Sequence, residues 1–167
     1  MSNDTAIPLS QRVHATLHEM DAHLTPDNRA RLRSAGTALP LDAYVALATV
    51  PASETDNPAT MSVWQTVVRA LGSIRHGGPP IGAVLAETDY PEARINALLT
   101  AQGETLIGLI AEVVRWVVAH DVSRASLTDL VTLGLTDALG EAPAHQQSVQ
   151  RIALTFTRAQ RRARRAA

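Results

Sequence analysis

The 167-residue chain contains no cysteine and no lysine, and its aromatic residues are limited to two Trp, two Tyr and one Phe. Without cysteine there can be no disulfide framework, thiolate metal site or cysteine nucleophile, and the composition suits a reducing compartment. So few aromatics argue against the base-stacking platforms used by many single-strand binders. A bilayer needs roughly 20 consecutive apolar residues. The longest apolar stretch, Leu106 to Val118, falls short of that and is interrupted by Glu112 and Arg115. The opening MSNDTAIPLSQR has no basic start followed by an apolar run, so no secretory signal, no membrane partner and a cytoplasmic location are expected.

The charge that is present is unevenly placed. All 15 basic residues are arginine, set against 16 acids for a net charge of -1. Every acid lies at or before Glu141. Residues 151–167 hold six arginines and no acid, giving +6, whereas residues 1–150 hold nine arginines and 16 acids, giving -7. Each cation is therefore a planar, permanently charged guanidinium suited to forked contacts with phosphate.

With 46% apolar residues the chain can bury a core of its own. Apolar positions recur at three and four rather than two, so an all-α fold is expected: two small packed helical bundles of about eight to nine helices, with no strand. The first helix follows Ser10. Thr25-Pro26-Asp27 announces the second with a cap, a proline in the first turn and an acid near the positive end, and Gly36 closes it. A third helix runs from Leu41 to before Pro51. The polar stretch PASETDNPAT, residues 51–60, reads as a linker or long loop, placing N-terminal helices in 1–60 and a C-terminal bundle in 61–167, with one compact unit as the alternative. Another helix starts near Met61 and ends at the turn RHGGPP, followed by a short helix from Ile81. PEARINALLTAQ then forms a helix closed by Gly103. Glu104 to Ala119 is apolar on nearly all sides and belongs at the centre of a bundle. Ser126 to Asp129 resembles a capping box for a helix ending at Leu139. In the last helix, from Pro143, Val149, Ile152, Phe156, Ala159 and Ala163 share one stripe. Arg151, Arg158, Arg162 and Arg165 fall nearly opposite.

Catalytic and metal chemistry find little support in these residues. His14, His18 and His23, with Glu19 or Asp21, are the best metal candidates, yet their spacing does not match a zincin helix and no distant ligand stands out. A solvated helix face without metal or other cofactor is expected. Gly77-Gly78-Pro79-Pro80 lacks a following GK[ST], and prolines offer no amide to cradle phosphate. No serine sits in a GxSxG elbow, so the chain is not expected to be an enzyme. Trp64 and Trp116 read as core residues. Contact with nucleic acid would then run from arginine to phosphate, which holds a backbone without reading sequence. Arg29 and Arg33 lie one turn apart with Arg31 turned away, Arg69 and Arg75 flank a helix end, and Arg94 and Arg115 punctuate apolar helices. The alternative use of the arginine stripe is docking on an acidic protein, as a helical adaptor.

From about Asp27 to Arg158 the order of segments resembles the CasB family, the small subunit of the type I-E CRISPR surveillance complex Cascade. The most specific part is IGAVLAETDYPEARINALLTA: Ile81-Gly82 with Leu85, Glu92 with Arg94, and Leu98-Leu99 with Ala101. NRARLRSAG precedes it, and VVRWVVAH, SLTDLVTL and the closing Arg151-Ile152-Ala153 with Phe156 follow in order. The resemblance implies a non-catalytic scaffold that pairs with a second copy of itself and with other Cascade subunits. It would contact CRISPR RNA and target DNA and help hold the opened target for antiviral defence. The matching basic positions are Arg29, Arg33, Arg94, Arg115, Arg151 and Arg158, to which the stripe adds Arg162. The chain departs from the family in lacking lysine and in having no tryptophan in the segment before Leu127.

Overall fold

The computed structural model describes residues 6–36 and 38–167; of the opening segment, MSNDT lies outside the described residues. Helix formation follows the local chemistry. The Thr25 side chain accepts from the amide of Asn28, and the Asn28 side chain accepts in return from the amide of Thr25, both at 3.1 Å. Pro26 opens the helix, so α2 (Pro26–Ser34) starts with a reciprocal cap. The other helices are α1 (Leu9–His23), α3 (Leu41–Leu47), α4 (Ala52–Thr55), α5 (Pro58–Ala70), α6 (Ile81–Glu87), α7 (Glu92–Thr100), α8 (Gly103–Ala119), α9 (Thr128–Leu139) and α10 (Ala142–Ala166). The described residues are thus predominantly helical.

Four local expectations are corrected. RHGGPP is an extended segment, β1 (Arg75–Pro80), which pairs in parallel with β2 (Arg124–Ser126). The six-residue strand has Gly or Pro at four positions and so carries no apolar alternation, and the three-residue strand is too short to display one. Gly103 begins α8, with φ of +57°, instead of ending α7. Ser126 belongs to β2 and forms no capping box; its hydroxyl faces that of Thr128 at 3.4 Å. The stretch 51–60 is not a free linker, because it forms α4 and the start of α5 around a buried Glu54. That carboxylate accepts from Arg12 of α1 and, at 2.9 Å, from the indole N–H of Trp64.

Two apolar clusters result, but they do not part at residue 60. The first gathers Val13, Leu17 and Met20 of α1, Leu32 of α2, Leu47 of α3, and Val63, Trp64 and Val67 of α5. The second gathers Ile81 and Leu85 of α6, Ile95 and Leu98 of α7, and Ile152 and Phe156 of α10. α8 and α9 serve both: Val114, Val131 and Leu135 face the first cluster, while Ile110, Val113, Leu130 and Leu133 face the second. α8 is central, as its all-round apolar character requires.

The position of α10 depends on Gly82. A Cβ there would meet the Thr155 hydroxyl and the Ile152 carbonyl, so glycine lets α6 and α10 approach backbone to backbone. Gly108, also helical, has nothing within 4 Å of such a Cβ. Gly82→Ala is expected to lower stability by about 1–3 kcal/mol through overpacking. Gly108→Ala should raise it by about 0.5–1 kcal/mol through helix propensity. Urea midpoints check both, and shifts of the same sign would contradict the close approach.

Candidate nucleic-acid interface

A guanidinium inside a fold must find an anion or a carbonyl, and most of the early arginines do. Arg29 is 9% exposed, donates to the carbonyls of Leu71 and Asp21 at 2.6 Å each, and lies 2.9 Å from the Asp21 carboxylate. Arg75 reaches the same carboxylate at 3.0 Å. Arg29 is therefore a structural residue and not an open phosphate contact. The helical periodicity that paired it with Arg33 did not show that α2 turns this side inward. Arg33 is exposed but donates to the Gly72 carbonyl at 2.7 Å.

The remaining candidates separate in the same way. Arg94 pairs with Glu112 of α8. Arg151 is half-buried and pairs with Asp129 of α9 at 2.8 Å, so it is not part of a free cationic stripe. Arg31, on the same helix as Arg29, pairs with Asp42 at 2.7 Å, and that hydrogen bond holds Asp42 below the usual carboxylate value. Among the described residues, Arg115, Arg124, Arg158, Arg161, Arg162, Arg164 and Arg165 make no hydrogen bond or salt bridge. Five of these seven lie on the last turns of α10, beyond the final acid of the chain.

Arg158 and Arg162 also have a defined setting. With Ala159 and Ala163 they form one side of a groove of about 550 Å³, whose other side is Pro79 and Pro80 of β1 and Ala83 and Glu87 of α6. The two arginines therefore flank the packed face of α10, whereas the projection at the α-helical period put them nearly opposite it. Ile152 and Phe156 are buried as that projection required, and Ala159 and Ala163 line the groove. Two features were missed from sequence. Glu87 places a carboxylate in the groove, and the stem of Arg124 lies against Gly78, next to Pro79. Neither leaves a signal in a single sequence, because Glu87 depends on the packing of α6 against α10 and Arg124 on the pairing of β1 with β2.

The aromatic side chains are engaged elsewhere. Trp64 is fully buried, and Trp116 is partly buried, packs edge-on against Tyr90 at 5.2 Å and donates to Thr88 at 3.0 Å. Among the described residues no group of three His, Cys, Asp or Glu side chains could hold a metal ion, and no helix is long and apolar enough to cross a membrane. His14 partners His76 rather than His18 or His23, across 3.1 Å.

The two classes of arginine should respond differently to substitution. Arg29→Met is expected to cost about 3 kcal/mol, near the low end for breaking a buried pair because Arg75 still faces Asp21. Arg158→Met should stay within about 0.5 kcal/mol of the parent. Urea unfolding measures both, and a silent Arg29→Met would show that the pair contributes nothing.

Compared with models of protein families, with curated proteins and with solved structures, the chain matches none.

Proposed function

We propose that the chain is a non-catalytic, helical subunit that grips the phosphate backbone of nucleic acid through the unpaired arginines of α10. The observation that carries this reading is the separation of charge: of the ten arginines up to Arg151, eight meet an acid or a carbonyl and Arg115 and Arg124 do not, while Arg158, Arg161, Arg162, Arg164 and Arg165 are all exposed and unmatched. An array of free guanidiniums along one helix attracts a polyanion and releases its counterions. It fixes the position of a strand and leaves sequence reading to another component.

The resemblance to the CasB family supplies the assembly for this activity, an RNA-guided antiviral complex of type I-E. In it the chain would sit with a second copy and other subunits against guide RNA and target DNA, favouring the opened, guide-paired target. A protein adaptor is the second reading, supported by the apolar walls of the groove, where Pro79, Pro80, Ala83 and Ala159 could receive side chains of an acidic partner.

Charge reversal distinguishes the two. At about 0.1 M salt each phosphate contact contributes close to one decade of affinity, so Arg158→Glu with Arg162→Glu should weaken DNA binding about 10- to 100-fold or more. Circular dichroism should show unchanged helix content. Unchanged DNA affinity would overturn phosphate gripping and favour the adaptor. Co-expression with the other proteins and guide RNA of a type I-E system should carry the chain into the particle; an intact particle without it would sink that assembly.

A further inference from the structure

His76 of β1 is 3% exposed and sits where three elements meet. Its Nε2 lies 3.1 Å from Nδ1 of His14 on α1, and its Nδ1 lies 3.3 Å from the amide nitrogen of Leu127, at the junction of β2 and α9. An amide nitrogen only donates, so Nδ1 of His76 accepts and the ring's single proton is on Nε2, where it donates to His14. The Thr128 hydroxyl stands 3.4 Å from the same His14 nitrogen. This arrangement works only while both rings are neutral.

An added proton has no place in it. On Nδ1 of His14 it would face the N–H of His76, and on Nδ1 of His76 it would face the N–H of Leu127. Shifting the His76 proton from Nε2 to Nδ1 merely moves the conflict from one bond to the other. Any protonation of the pair therefore breaks a hydrogen bond that ties α1 or α9 to β1. The surrounding charges offer little relief. Asp21 of α1 favours the charged form, but it is already engaged by Arg29 and Arg75. His18 of α1 and Arg124 of β2 oppose it. On the open side of His14, Asp129 of α9 and Arg151 of α10 neutralise each other.

We propose that the His14–His76 pair is an acid-sensitive latch that fastens α1 to β1 and to the start of α9, and that its protonation releases α1 while the core around α8 remains folded. Burial first, and then the neighbouring His14, lowers the His76 value from 6.5 to about 4. The released form takes up its proton at the ordinary value and the latched form only at the lower one. The latch is thus at full strength above pH 6.5 and weakens as pH falls towards about 4. Between pH 7.5 and 5 release becomes about 30-fold more favourable.

Amide hydrogen exchange on the full chain, corrected for the intrinsic effect of pH, tests the latch. Protection of Leu17, Met20 and Leu127 is expected to fall about 30-fold from pH 7.5 to 5, while Ile110 and Val113 change by less than about threefold. His76→Asn keeps an acceptor for the Leu127 amide but takes no proton, and should remove the response. His18→Gln should retain it. If His76→Asn does not fold, ring titration of His76 in the parent replaces it, with a midpoint that should coincide with the loss of α1 protection. Constant α1 protection, simultaneous loss in α1 and α8, or a response that persists in His76→Asn would overturn the latch. Loss of α1 protection on adding EDTA at pH 7.5 would also overturn it, since a metal ion would then fasten the pair.

Discussion

A guanidinium keeps its charge in any protein environment, so each of the 15 arginines needs an acid, a carbonyl or water. The internal organisation follows from where those partners are. Asp21 holds Arg29 and Arg75, joining α1, α2 and β1; Glu54 holds Arg12 and the Trp64 indole, joining α1, α4 and α5; Asp129 holds Arg151, joining α9 to α10. The acids end at Glu141. Beyond Arg151 the arginines have only water and whatever anion arrives, and the surface of α10 acquires its character from that shortage.

Charge alone would leave a loose cationic arm. Gly82 gives it a fixed position, because the missing side chain lets α6 meet α10 at backbone distance and brings Pro79 and Pro80 alongside. Arg158 and Arg162 consequently border a groove with one polar and one largely apolar side. The same β1 segment that forms the groove carries the buried His76, so the cationic surface and the histidine pair share one structural element.

Much of the helical framework was legible in the sequence. The Thr25 cap, the apolar α8 and the buried Ile152 and Phe156 of α10 all follow from local pattern. What could not be read was set by contacts between distant residues: β1 pairs with β2 across three helices, Arg29 turns inward onto Asp21, and His14 meets His76 rather than its helical neighbour His18. Of the candidate arginines, Arg158 and Arg162 stand unmatched on one groove, while Arg29, Arg94 and Arg151 are engaged within the fold. A single sequence records charge and period. It does not record which acid a given arginine will meet.

The central claim, that α10 binds polyanion through unmatched guanidiniums, is tested most directly by the salt dependence of duplex DNA binding. Each neutralised phosphate contributes about -0.9 to the slope of log affinity against log salt. Engagement of two to five α10 arginines gives a slope of about -2 to -4.5, and replacing Arg158 and Arg162 with methionine should make it shallower by about 1.8. A slope near zero for the parent chain, or one left unchanged by that replacement, would contradict the account.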